Sequence, residues 1–263
     1  MIPTIYFFCE RLISKIHNGA AALIQGTALA LFDNDGLERL TERRYARNHA
    51  SYENWRYVES GLFVWEREVV DTYFPKGGQV LVAAAGAGRE MIALSRAGFK
   101  VSGFDCCQPL VESGKRLLKE HKIDAVLEYA SPSRVPSCNQ QHDAALVGFS
   151  GYMYIPGRDR RIRFLRELSA VVKPNSPVMV SFVEGSSGKR RSWTARIGTA
   201  LRRLRLAELV EEGDCLKDGF QHHFLHEQIR SEMNEAGLDL VFYNGGTCYG
   251  HAVGLVREER LQM

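Results

Sequence analysis

A chain of 263 residues suits one domain with additions, and 45% hydrophobic with 25% charged residues is the balance of a globular fold, not of a disordered or fibrous chain. The net charge of +3 is too small to imply a nucleic-acid or membrane partner by itself. Six cysteines without a C-x-x-C pair or regular spacing argue against a disulfide framework and suit reduced thiols in the cytoplasm.

Residues 1–75 read as a helical cap region rich in aromatics: Tyr45, Tyr52, Trp55, Tyr57, Phe63 and Trp65. Two apolar runs, Met1–Phe8 and Ala20–Phe32, are each shorter than the roughly 18 residues of a membrane span. Neither follows a basic segment with a clear cleavage site, so no transmembrane segment or signal peptide is expected. An amphipathic helix covering a pocket or a partner is the preferred reading, with a peripheral membrane contact as the alternative.

After the Pro75–Gly78 punctuation, strands and helices alternate through residues 76–263. The pattern predicts strands at Val80–Ala84, Val101–Asp105, Ala125–Tyr129, Asp143–Phe149 and Pro177–Phe182. Helices are expected at Glu90–Ala97, Pro109–His121 and Asp159–Val172. Such alternation implies an α/β fold, a mostly parallel sheet with helices on both faces. Residues 185–213 form a basic insertion, with a helix from about Trp193 to Val210. A helix at Glu227–Ala236 precedes two strands, Leu238–Tyr243 and Tyr249–Val256, joined by a turn at Gly245-Gly246, so the last strand runs antiparallel.

The first strand runs into Ala83-Ala84-Ala85-Gly86-Ala87-Gly88, and a helix follows at once. Side chains this small let a ligand press on the backbone and on the N–H groups that open the helix. About twenty residues on, Asp105 ends the second strand, the arrangement by which open α/β sheets hold a nucleoside. Met91 stands where a dinucleotide fingerprint wants its third glycine, and no Gly-Lys-Ser/Thr follows to make a P-loop. From Ala84 the loop reads Ala-x-Gly-x-Gly, leaving another nucleoside, a nicotinamide or flavin nucleotide, or a purely structural turn.

The loop resembles motif I of the class I S-adenosylmethionine (SAM) methyltransferases, with Val82 replacing the acid and Ala84 the first glycine. The likeness covers roughly Gly61 to Val256 and implies a Rossmann-like, seven-stranded sheet with an antiparallel last strand. More narrowly, Gly61–Glu66, Gly86–Glu90, Tyr154–Arg158 and His222–Phe224 resemble uncharacterised bacterial methyltransferase-like proteins. The resemblance implies a cofactor site of Ala84, Gly86, Gly88, Asp105, Cys106, Ser131 and Phe149. It lacks the family's acids at Val82 and around Ala130.

For the acceptor, Tyr152, Tyr154, Arg158 and Tyr249 are candidates beside the sheet's carboxyl edge, with a capped turn and a half-buried strand as the plainer readings. His251 shares a face with Tyr249, and Arg89-Glu90 opens the first sheet helix, where an acid is favoured by the helix dipole alone. His222 or His223 could act as general base; adjacent residues in an extended segment face opposite ways, so at most one points inward. No metal is expected, since His222, His223 and His226 with Asp214 or Cys215 lack zinc-like spacing. The basic run 189–205 is followed by Glu208, Glu211 and Glu212, so local neutralisation is the plainer account and a nucleic-acid partner is disfavoured.

The expected activity is methyl transfer from SAM to O or N of a small molecule, with residues 1–75 and 185–213 covering the sheet's carboxyl edge. A non-catalytic SAM- or nucleoside-binding protein and an RNA methyltransferase are the alternatives.

Overall fold

The computed structural model describes residues 2–137, 140–186, 189–204, 208–245 and 249–258. Gly246 of the expected turn, Arg205 of the basic run, Cys138 and Cys248 lie outside them. The helices are α1 (Ile2–Leu31), α2 (Asn34–Tyr52), α3 (Trp55–Glu59), α4 (Val64–Tyr73), α5 (Arg89–Arg96), α6 (Gln108–Glu120), α7 (Arg158–Ala170), α8 (Lys189–Arg203) and α9 (His226–Ala236). The strands are β1 (Gln79–Ala83), β2 (Lys100–Asp105), β3 (Val126–Tyr129), β4 (Ala144–Val147), β5 (Pro177–Glu184), β6 (Asp214–Leu216), β7 (Phe220–Phe224), β8 (Leu238–Asn244) and β9 (Gly250–Val256).

Seven strands form the main sheet in the order β3-β2-β1-β4-β5-β9-β8, with β9 antiparallel to both neighbours. This is the Rossmann-like arrangement that the resemblance implies, and the alternation and the antiparallel terminal strand pair agree with it. Side-chain alternation along β1 sorts the core. Leu81 and Ala83 face α7 and α9 through Leu165, Leu168, Ile229 and Met233. Val80 and Val82 face α4, α5 and α6 through Val69, Met91, Ile92 and Val111. Val82, standing where the family carries an acid, is therefore a fully buried core residue.

Met91 has its own structural reason. A Cβ added to Gly103 on β2 would lie 2.8 Å from the Met91 Sδ. The dinucleotide motif puts its close-packing glycine on the helix; here the glycine is on the strand and the helix supplies the bulk.

Two additions depart from the expected seven strands. The β6–β7 hairpin joins the end of β5, pairing Val183 with His223 and Glu184 with Phe224. Its turn puts Asp218 and Gly219 at φ 53° and 125°, an Asp-Gly hairpin signal in a segment otherwise too short and too mixed to read as strands. The insertion helix begins earlier than expected, at Lys189, and ends at Arg203, so Val210 is not helical. Instead Val210 packs with Leu29, Leu37 and Phe220 in a third small core shared by the N-terminal helices and the hairpin.

α8 lies against α1 at close range: a Cβ on Gly26 would be 2.8 Å from the Thr194 carbonyl oxygen. Buried Arg202 then donates to the Leu29 and Phe32 carbonyls (3.1 and 2.6 Å), to Asn34 Oδ1 (3.3 Å) and to the Glu208 carbonyl (2.9 Å). These bonds satisfy carbonyl groups that a helix end leaves without partners.

Candidate functional site

A cavity of about 200 Å3 opens at the carboxyl ends of the first two strands and β4. Its floor is the motif loop. Ala84 and Gly86 both sit at φ 53° and Gly88 at φ 91°, so the chain turns left-handedly three times before α5 begins. A Cβ added at Gly86 would meet nothing within 4 Å, so open space lies beside its backbone. Gly88 does not line the cavity; it is the N-cap of α5, and its N–H donates to the Ala85 carbonyl at 2.8 Å.

Asp105 is buried at the cavity wall. One carboxylate oxygen accepts the Gly86 N–H and the other the Cys107 N–H, both at 2.8 Å. Burial pushes its pKa up to about 6, helped by the nearby Glu90 charge and opposed by the backbone donors. It does not cap α6: the N-cap residue is Cys107. Cys106, Ser131, Phe149 and Tyr154 line the same cavity. Burial, then the Asp105 charge, holds the Cys106 thiol well above its ordinary pKa, so it is neutral.

The opposite wall comes from α2 and α3. Thr41, Arg44, Tyr45 and Tyr52 share one face of α2, and Tyr57 follows on α3. Arg44 donates to the Tyr154 hydroxyl at 2.7 Å, and its guanidinium stands 5.2 Å from that ring's centre. The tyrosines are noted in the sequence, but their place in the wall depends on how α2 docks, which no local pattern states. Their helical spacing was the available signal.

Beside this wall lies a buried ion cluster. Arg89, 1% exposed, donates to both Glu66 oxygens at 2.8 and 2.7 Å, to Glu90 at 2.5 Å and to the Gly61 carbonyl at 2.6 Å. Its guanidinium covers the Phe63 ring at 4.1 Å. Arg89 and Glu90 both line the cavity, and Glu90 Oε1 lies 3.4 Å from the Phe149 N–H nitrogen. Two carboxylates around one guanidinium leave a formal charge of −1 when both are ionised. Burial raises the Glu66 pKa, and Arg89 opposes that rise.

The other expected residues lie elsewhere. Tyr152 is buried and donates to Glu232 at 2.7 Å, within a network where Arg161 also holds Glu232 and Glu211. Arg158 pairs with Glu235 and donates to Ser231 at 2.8 Å. Tyr249 does not line the cavity; its ring lies 4.8 Å from that of Phe149, which does. His222 is fully buried in the hairpin, with Nδ1 2.7 Å from Asp214 and its ring against Phe224. His223 accepts from Arg191 at Nδ1 (2.8 Å), which leaves Nε2 to donate to Gln221 (3.1 Å). Burial and Arg191 hold its pKa down at about 4.

Neither histidine expected as general base lines the cavity: the hairpin that carries them pairs with the end of β5 and engages both rings internally. Glu211, Asp214 and His222 come within metal-ligand range of one another. Arg161 already pairs with Glu211 as well as Glu232, and Asp214 lies 2.7 Å from His222 Nδ1, so the three read as part of a buried hydrogen-bond network.

The residues present fit a nucleoside. Asp105 offers a carboxylate with unused lone pairs, the loop offers bare backbone, and Arg89 Nε is buried without a partner among the described residues.

Residues 80–175 match the family model for a methyltransferase domain. No curated protein matches the chain. Among solved structures, the chain is similar to a SAM-dependent methyltransferase from Methanosarcina mazei at 15% identity and TM-score 0.58, covering 75% of this chain and 99% of that one. A second, from Clostridium acetobutylicum, has 9% identity and TM-score 0.58 over 81% of this chain and 99% of that one. A third is a SAM-bound amino pentose methyltransferase from Micromonospora echinaspora, at 14% identity and TM-score 0.53 over 78% of this chain and 96% of that one. At these identities the likeness is one of fold. Residues 80–175 thus match a methyltransferase domain, in a chain whose fold is that of the SAM-dependent methyltransferases.

Proposed function

We propose that this chain transfers the methyl group of SAM to an oxygen or nitrogen of a small-molecule acceptor. The observation that carries the reading is Asp105, a buried carboxylate at the end of β2 that is hydrogen-bonded to the bare loop at Gly86 and lines one cavity with it. Asp105, Cys106 and Ser131 would hold the nucleoside, and Ala84, Gly86 and Phe149 the methionine portion. When bound, SAM supplies a methyl carbon made electrophilic by the sulfonium. The protein's share is positioning and exclusion of water. Tyr45, Tyr52 and Tyr57 provide the latter as a lid from the N-terminal region, while α8 packs on α1 and does not line the cavity.

The excess carboxylate of the Glu66–Arg89–Glu90 cluster favours a cationic ligand over a neutral one. Tyr154 in the cavity wall, with Tyr249 packed on Phe149, frames a site for a small acceptor. Cys106 and Cys107 are free thiols, consistent with a cytoplasmic setting.

A second reading, a non-catalytic SAM-binding protein, is favoured by the core position of Val82 and by the histidines' absence from the cavity. An RNA methyltransferase fits less well, because Arg191 and Arg202 of the basic segment are spent on internal hydrogen bonds. Calorimetry with SAM and its demethylated product S-adenosylhomocysteine tests the site, and transfer of labelled methyl to a panel of small acceptors tests the activity. A chain that binds neither nucleoside has kept only the fold; one that binds both and methylates nothing supports the second reading.

A further inference from the structure

α1 and α8 carry an apolar surface that the cavity does not use. Ile16, Leu23, Ile24 and Leu31 on α1, Trp193 on α8 and Leu204 just beyond it are between 56% and 83% exposed. On α1 the four recur at i, i+7, i+8 and i+15, a single stripe. On the α8 segment Trp193, Arg196, Arg203 and Leu204 recur at i, i+3, i+10 and i+11, all exposed. Thr194 and Arg202 lie buried on the other side of that helix. α8 has six basic residues and no acidic one in its fifteen. Exposed aliphatic and indole side chains with arginines among them are what a helix presents to an anionic lipid surface.

We propose that the α1–α8 pair docks on an anionic membrane surface, with α1's aliphatic stripe entering the headgroup boundary and Arg196 and Arg203 drawing on lipid charge. Among the described residues no helix is long and apolar enough to cross a membrane, so the pair lies along the bilayer. Two other occupants fit the surface less well. A second copy meeting this face symmetrically would bring both copies' Arg196 and Arg203 into one interface, where α8 offers no acidic partner. A nucleic acid would gain little from Ile16, Leu23, Ile24 and Leu31, which offer bases nothing to stack on.

The test is flotation of the full chain with vesicles of phosphatidylcholine alone and of phosphatidylcholine with phosphatidylglycerol, at low and high salt. The expected result is binding to the anionic vesicles that weakens with salt. The pair Arg196→Glu and Arg203→Glu should weaken it about 25-fold or more, from roughly fivefold for each lost charge. Leu23→Ser with Ile24→Ser should weaken it at least tenfold. Unchanged thermal unfolding and unchanged nucleoside binding would show that the variants remain folded. The proposal is overturned if the wild type does not float with anionic vesicles, or if both double variants float as it does. It is equally overturned if the apolar variant instead abolishes a concentration-dependent dimer, or if the chain binds RNA in the same buffer and no vesicle.

Discussion

Replacing Asp105 with alanine tests the site most directly, because the structure states both what the carboxylate costs and what it offers. Its pKa is pushed up from 3.8 to about 6, so above that pH the folded protein holds a buried charge at a cost of about 3 kcal/mol. The sign follows from the rise. Below about pH 4 the group is protonated in both states and the cost is absent. Between pH 4 and 6 the folded state keeps the proton longer, so wild-type stability falls as pH rises, and above pH 6 the whole cost is present. In Asp105→Ala this fall should vanish from urea-unfolding curves measured between pH 4 and 8. The gain at pH 7 should be smaller than about 3 kcal/mol, because the Gly86 and Cys107 N–H groups lose their acceptor at about 1–3 kcal/mol each. For the ligand, two hydrogen bonds from ribose hydroxyls to a charged acceptor are worth about 3 kcal/mol or more, so SAM affinity should drop at least about 100-fold. In the wild type, affinity should rise as pH passes through 6. A folded variant that binds SAM within a few-fold of wild type, or a wild-type affinity flat from pH 5 to 8, would refute the placement of the ribose.

Arg89→Met strands the Glu66 and Glu90 carboxylates in a buried site and should cost about 3–5 kcal/mol in urea unfolding; the added change Glu66→Leu should recover part of it. Glu90→Gln removes the excess charge beside the cavity, so calorimetry should show SAM weakened about tenfold and its neutral, demethylated product nearly unchanged. Ala84→Gly relieves a left-handed alanine and should raise the melting temperature by a few degrees, corresponding to about 1 kcal/mol. His223→Phe should leave the methyl-transfer rate and its pH profile unchanged, since its ring is engaged by Arg191 and Gln221; a rate loss greater than about tenfold, without unfolding, would restore the histidine to the reaction.

The parts of this fold that were legible in the sequence are those written by local periodicity. The alternation of Val80–Ala83 with the α5 pattern, the acid ending β2 and the closing strand pair each follow from residues close in the chain. Six of the seven expected cofactor residues, Ala84, Gly86, Asp105, Cys106, Ser131 and Phe149, line the cavity, because strand ends in a parallel sheet converge on one edge; the seventh, Gly88, caps α5 instead. Tyr152, Arg158, His222 and His223 did not follow. Each is a polar side chain whose partner, among Glu232, Glu235, Asp214 and Arg191, lies 8 to 80 residues away, and sequence gives no sign of which pairing wins. The tyrosine wall was hidden for the same reason, since its members become a site only once α2 has docked.

The joint between α1 and α2 has a mechanical meaning. Phe32 and Asp33 alone separate the helices, Asp33 accepts the Gly36 N–H at 2.7 Å, and Arg202 ties Leu29 and Phe32 on one side to Asn34 on the other. A connection so short and so fastened behaves as a bent lever. α2 is 19 residues long, about 28 Å, so a rotation of about 5° at the joint would carry its far end about 2–3 Å. Arg44, Tyr45 and Tyr52 ride on that arm. Whatever grips α1 therefore sets the height of the cavity's roof.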